Sequence, residues 1–205
     1  MIRFVAALLL SYVAGSLPTA YLLVKWTRGV DIREVGSGNV GATNAGRAAG
    51  RGIGLAVLAI DMLKGVAASA LIPRWLIPEA SAAAAFLCGV TAVMGHTWSC
   101  FLRFQGGKGV ATTIGALAGY APPIAASVVS VWLAVFALSR YVSLSSMVAA
   151  VVLPVSQLVF HRETSEVLLG ALLAVLIVVR HQSNIRRLLS GVEHRAGGAG
   201  RPKKD

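Results

Sequence analysis

The chain has 205 residues, of which 56% are hydrophobic and 13% charged, with 19 Lys and Arg against 8 Asp and Glu and a formal net charge of +11. Ordinary soluble domains carry about 25% charged residues, and so little polar surface cannot cover this much apolar side chain in water, which excludes an ordinary soluble fold. The two cysteines, Cys88 and Cys100, exclude a disulfide framework and are too few for a metal centre.

The first apolar run covers residues 4–24. It has the ~20-residue length of a membrane span and exceeds the short apolar core of a signal peptide. Ser11, Tyr12, Ser16 and Thr19 give it a face suited to protein contact. Further apolar runs lie at 53–72, 80–95, 110–121, 123–138, 143–160 and 166–179. Within the second, Asp61 and Lys64 stand at i,i+3. Ionisable residues at membrane depth are functional candidates, and an ion pair that fixes the bundle is the equally simple alternative. Gly115 and Gly119 form a G-x-x-x-G helix-packing pattern.

Pro122-Pro123 leaves 110–138 open between one kinked helix, giving six spans, and two short helices, giving seven. Charge decides. With seven spans, the segments 25–52, 96–109, 139–142 and the tail from 180 share one side. They hold every Lys and Arg except Arg3, Lys64, Arg74 and Arg162. With six, Arg140 and the basic tail cross over and the bias nearly vanishes. The positive-inside rule therefore predicts an all-α polytopic bundle of about seven spans, N-terminus outside and C-terminus cytoplasmic. Residues 1–192 are expected to form one integral-membrane domain and 193–205 a basic, disordered tail. The run Arg201-Pro202-Lys203-Lys204 reads as an orientation and lipid-contact signal. Nucleic-acid binding lacks the expected interleaving of aromatic and basic residues.

This topology gathers three unusual segments on one face. The first is Gly36-Ser37-Gly38-Asn39-Val40-Gly41-Ala42-Thr43-Asn44, followed by Arg47. Its G-x-G-x-x-G spacing lacks the strand and βαβ context of a dinucleotide site. Small residues nevertheless let backbone N–H groups converge on an anion, and Arg47 adds a fork that fits phosphate. A plain polar connecting loop is the alternative. The second runs from His96 to Thr112 and contains Gly106-Gly107-Lys108-Gly109 directly before an apolar helix. N–H groups at a helix start beside a Lys form a ready anion site, and Gly109 replaces the Ser or Thr of a Walker A loop. His96 and Cys100 stand at i,i+4, but without further ligands a metal is not expected. The third runs from Arg180 to Leu188 and places His181 and Asn184 on one helical face. His181 there is either a general base or a snorkelling side chain. Ser143-Leu144-Ser145-Ser146 opens the sixth span, where N-capping is the simplest reading.

In this combination the chain resembles the bacterial acyl-phosphate:glycerol-3-phosphate acyltransferases. Gly15 to Tyr21 looks like the family's first-span sequence, and Gly36–Asn44, His96–Thr112 and His181–Leu188 look like its cytoplasmic signatures, in order along nearly the whole chain. The resemblance implies a seven-spanning enzyme of the bacterial cytoplasmic (inner) membrane with its active site on the cytoplasmic face. It implies transfer of a fatty acyl group from acyl phosphate to the 1-hydroxyl of glycerol 3-phosphate, giving lysophosphatidic acid and phosphate. No cofactor, metal or obligate protein partner is implied. Ser37, Arg47 and Lys108 would hold the glycerol 3-phosphate phosphate, with Gly38, Gly106, Gly107 and Gly109 in the binding loops. Asn39, Thr43 and Asn44 would shape the first loop, while Ser146, His181 and Asn184 would line the acyl-phosphate side and form the catalytic set. The chain departs from the family pattern at Ser99, commonly Pro, and at Gln105, commonly Lys. The first is expected to loosen the loop, and the second removes a positive charge near the phosphate site. His96 is not followed by the Asp of the H-x4-D acyltransferases. A transporter of a phosphorylated solute, or a lipid-binding scaffold, are the rival classes. No inverted repeat supports the first, and the second leaves the motif set unexplained.

Overall fold

The structure is a computed structural model and describes residues 1–197. The run Arg201 to Lys204, and with it most of the expected tail, lies outside the described residues. All seven apolar runs are helical, and no strand occurs among the described residues. The chain divides into two compact units, Met1–Ala125 and the residues from Ala126 onward.

The first unit begins with α1 (Ile2–Ser16) and α2 (Thr19–Arg28), one apolar stretch broken at Leu17-Pro18. Pro18 has no N–H to continue the ladder, and the Leu17 N–H reaches the Ala14 carbonyl only at 3.4 Å. At this break the carbonyls of Ser16 and Leu17 accept from side chains of other elements, Ser99 and Lys64. Gly29, at φ 71°, caps α2 in the left-handed conformation. A 3-10 turn (Ile32–Glu34) precedes α3 (Ala42–Ala49) and α4 (Arg51–Val66). A π-helical turn (Ala67–Leu71) joins α4 to α5 (Ile72–Leu76). Then come α6 (Ala82–Thr97), a second 3-10 turn (Cys100–Leu102) and α7 (Val110–Tyr120).

Helices in lipid gain nothing hydrophobic by leaving it, so close backbone packing holds them together. Glycines supply that closeness. A methyl group added at Gly15 or Gly95 would run into the backbone of Ala92 or Tyr12, which packs α1 on α6. One added at Gly65 or Gly115 would run into the carbonyls of Thr112 or Met62, which packs α4 on α7. Gly119 lies similarly against Ser69 and Val66, so the G-x-x-x-G face meets α4 and its π-turn.

The second unit holds α8 (Pro122–Ser139) from Ala126 onward, α9 (Val142–Val159), α10 (Thr164–Arg180) and α11 (Gln182–Leu189). α8 and α9 are tied by Ser127 Oγ donating to Ser156 Oγ at 2.9 Å and Trp132 Nε1 donating to Ser146 Oγ at 3.2 Å. Gln157 of α9 donates to the Glu166 carbonyl of α10 at 3.0 Å. A reciprocal capping box between Glu163 and Glu166 starts α10. α10 and α11 meet at 57° about His181.

Among the described residues, five helical stretches are long and apolar enough to cross a membrane: Ile2–Arg28, Arg51–Leu76, Ala82–Leu102, Pro122–Ser139 and Val142–Val159. The bent pair α10–α11 makes a sixth. Residues 110–138 form two helices separated by the non-helical Ala121, not one kinked helix. With 11 residues α7 is about 16 Å long, half of the ~30 Å hydrocarbon thickness. A seven-span count therefore rests on α7 as a short span.

Candidate functional site

The first-motif loop is organised by one side chain. Asn44 is buried (1% exposed) at the start of α3. Its Nδ2 donates to the carbonyls of Ile32 and Val35 at 3.2 and 3.0 Å, and its Oδ1 accepts from the Ser37 N–H at 3.0 Å. A clip in front of the loop, in which Arg33 donates to both carboxylate oxygens of Asp31, holds that carboxyl below the usual range. Gly36 and Gly38 take positive φ values of 59° and 69°, where a side chain is strained. The loop thus presents Ser37 outward, and the exposed Thr43 and Arg47 stand one turn apart on α3. Asn39 is half-buried, with its amide against Gly41.

The second motif folds back on the end of α6. Gly106 N–H donates to the Thr97 carbonyl at 3.1 Å and Gly107 N–H to the His96 carbonyl at 3.0 Å. Arg103 and Phe104, at φ 52° and 62°, make the turn in the left-handed region that non-glycine residues seldom occupy. Gly109, at φ 83°, is the N-cap of α7 and brings no side-chain cap. The first N–H groups of α7 therefore lack intrahelical acceptors and carry the positive end of the helix dipole, directly after Lys108. The two motifs meet in this unit: a methyl group at Gly107 would come within 2.6 Å of the Val40 carbonyl oxygen. Val40, Leu102, Ile32 and Ala45 share one buried apolar cluster beneath them.

The departures from the family pattern are visible here. Ser99 is buried (2% exposed) and its hydroxyl donates to the Ser16 carbonyl at 2.6 Å, at the break between α1 and α2. The backbone freedom expected from losing a proline is offset by this tether. Gln105 is exposed.

In the second unit, His181 is 3% exposed and its Nδ1 lies 2.7 Å from the Ile177 carbonyl. A carbonyl only accepts, so Nδ1 carries a proton in this contact. The orienting group missing from the neighbouring sequence is a backbone carbonyl one turn back. Asn184 Nδ2 donates to Glu193 Oε1 at 2.7 Å; Ser143 Oγ donates to the same oxygen at 2.7 Å, and Arg187 Nε donates to Oε2 at 2.7 Å. Burial pushes the Glu193 carboxyl up, and these hydrogen bonds outweigh it, holding the group below the usual carboxylate range. Ser146 lies one turn after Ser143 on α9. Its hydroxyl donates to the Val142 carbonyl at 2.8 Å while Trp132 donates to it, so it presents a held oxygen. Glu193 and Trp132 had not been singled out in the sequence. The only available signal was that Glu193 is the sole acid between Glu166 and Asp205. Among the described residues no group of three His, Cys, Asp or Glu side chains is placed to hold a metal ion.

Comparison with known proteins places these features in a family. The glycerol-3-phosphate acyltransferase family model matches residues 5–191. Glycerol-3-phosphate acyltransferase 2 of Moorella thermoacetica is 47% identical over 93% of this chain and 96% of its own length. The Desulforudis audaxviator glycerol-3-phosphate acyltransferase is 46% identical over 91% and 92%. Among solved structures, the integral membrane glycerol 3-phosphate acyltransferase PlsY in its glycerol 3-phosphate form superposes with a TM-score of 0.88 at 37% identity. That match covers 95% of this chain and 96% of that one. Its lysophosphatidic acid form gives 0.85 at 36% identity, covering 95% of each. The motifs, the helical membrane architecture and these likenesses along nearly the full length agree: the chain belongs to the glycerol-3-phosphate acyltransferase family.

Proposed function

We infer that this multi-pass membrane enzyme transfers a fatty acyl group from acyl phosphate to the 1-hydroxyl of glycerol 3-phosphate, releasing lysophosphatidic acid and phosphate. It works in the bacterial cytoplasmic membrane with its site on the cytoplasmic face. The observation that carries the reading is the second-motif loop, folded so that Lys108 and the uncapped start of α7 adjoin the first-motif loop. Solved relatives in glycerol 3-phosphate and lysophosphatidic acid forms supply the matching substrate and product.

Ser37, Arg47, Lys108 and the Gly106–Gly109 backbone bind the phosphate of glycerol 3-phosphate. Ser146, His181 and Asn184 serve the acyl phosphate. The donor is already activated, so no acyl-enzyme is required. The substrate hydroxyl oxygen attacks the acyl carbonyl carbon, a new ester C–O bond forms, and the acyl C–O bond to phosphate breaks. The hydroxyl proton goes to His181 Nε2 or to a phosphate oxygen of the substrate itself. Orienting two bound reactants supplies much of the rate enhancement.

The test is purified protein in lipid with palmitoyl phosphate and glycerol 3-phosphate, followed by phosphate release, with palmitoyl-CoA as comparison donor. Release is expected with the acyl phosphate alone and is lost in Lys108→Ala. Turnover with the thioester alone would overturn the donor assignment. His181→Ala lowers kcat by about 10²-fold or more if His181 is the base. A loss below about tenfold assigns the proton to the substrate phosphate.

A further inference from the structure

A buried charged cluster lies behind the phosphate loop and takes no part in the chemistry above. Lys64 Nζ donates to Asp61 Oδ1 at 2.8 Å, and their side chains are 6% and 3% exposed. Lys64 also donates to the Leu17 carbonyl, at the break in the first span. The same Asp61 oxygen, Oδ1, also faces the His96 ring, 3.8 Å from Nδ1. That is too long for a hydrogen bond but within the range of a direct electrostatic contact. The His96 carbonyl accepts the Gly107 N–H, and the ring sits where a side chain at Gly107 would be. One continuous set of contacts thus runs from the broken span through an ion pair and an imidazole to the residue before Lys108.

We propose that His96, oriented by the Asp61–Lys64 pair, is a positioning residue that sets the Gly106–Gly109 loop and thereby the affinity for the phosphate of glycerol 3-phosphate. The ion pair is worth more here than as a bundle clamp, because Asp61 faces a titratable ring as well as Lys64. The ring in turn lies against Gly107, where any side chain would collide with it. A structural clamp would be felt by both substrates alike. A ring that props one loop is felt by the substrate that loop binds.

The proposal rests on the acyltransferase reading, and its test separates the two. KM and kcat for each substrate are measured on His96→Ala, His96→Gln and Asp61→Asn. Glycerol 3-phosphate binding is measured by calorimetry without donor. His96→Ala is expected to raise KM for glycerol 3-phosphate at least about tenfold and to weaken calorimetric binding equally, with KM for palmitoyl phosphate changed less than about twofold. His96→Gln, which keeps a polar side chain of similar reach, restores part of the loss. Asp61→Asn shows the same selectivity at smaller size. Unchanged affinity in folded His96→Ala, or an equal rise for both substrates, overturns the proposal. If His96→Ala does not fold, His96→Gln and Asp61→Asn decide by the same selectivity, and failure of all three to fold makes the cluster structural and overturns it. If the wild-type protein shows no turnover, the acyltransferase reading fails, and the calorimetric comparison still tests the loop.

Discussion

At the residue scale, side chains at this site differ in whether their role is to meet the substrate or to hold the backbone that does. Asn44 spends its amide on the carbonyls of Ile32 and Val35 and the Ser37 N–H, and so holds the backbone of the loop. Ser99 is the case where sequence pattern misled. Replacing a family proline reads as lost rigidity, yet the hydroxyl closes onto the Ser16 carbonyl. No spacing rule connects residues 83 apart in the chain, so that contact was not legible. Its backbone, at φ −64°, is where a proline ring would sit. Ser99→Ala leaves a buried carbonyl short of a donor and is expected to cost about 1–3 kcal/mol. Ser99→Pro loses the same bond but recovers about 0.4–1 kcal/mol by restricting the unfolded chain. Thermal unfolding in one detergent should therefore rank wild type above Ser99→Pro and Ser99→Ala last. Ser99→Ala at or above wild type would show that the tether contributes nothing.

At the element scale, the bend between α10 and α11 carries the third motif. The i,i+3 pairing of His181 with Asn184 was readable from periodicity, because both residues belong to one turn. The carboxylate that holds Asn184 was not. Glu193 lies beyond the helix end, and it returns only because Gly191, at φ 68°, reverses the chain so that Val192 N–H donates to the Arg187 carbonyl. Its ties to Ser143, Asn184 and Arg187 favour the charged form, so its folded-state pKa lies below the ordinary value of an unfolded Glu. The stabilisation is then complete above the ordinary value and is lost as pH falls through the lower, folded one. Thermal unfolding of wild type and Glu193→Gln between pH 7 and pH 3 should show wild type more stable at pH 7 and the gap closing below about pH 4. Parallel curves across that range would mean that the carboxylate charge does not hold the α10–α11 bend.

At the scale of the whole molecule, the helical membrane architecture was legible because composition leaves no other solvent for such a chain, and every apolar run became a helix. Span number was less so. Hydropathy measures transfer to lipid, whereas α7 is set by glycine packing on α4 and stops after 11 residues. Sidedness rests on charge, and the chain carries its own probe for it. Cys100 is exposed in the second motif while Cys88 is buried. A membrane-impermeant maleimide should therefore label Cys100 in inside-out vesicles and not in intact cells, with Cys100→Ser abolishing the signal. In that Cys100→Ser background, Ser190→Cys places a thiol at an exposed position just past α11. Four further crossings separate residues 100 and 190 if α7 and α8 each count as one, and three if they share one. Labelling of both positions from the cytoplasmic side requires the even number and makes α7 a true short span, with the surrounding bilayer thinned or α7 packed away from lipid to meet it. Opposite labelling requires the odd number. It would put the third motif across the membrane from Lys108, where no single transfer reaction uses both, and the assignment of His181 and Asn184 to the acyl phosphate would fall with it.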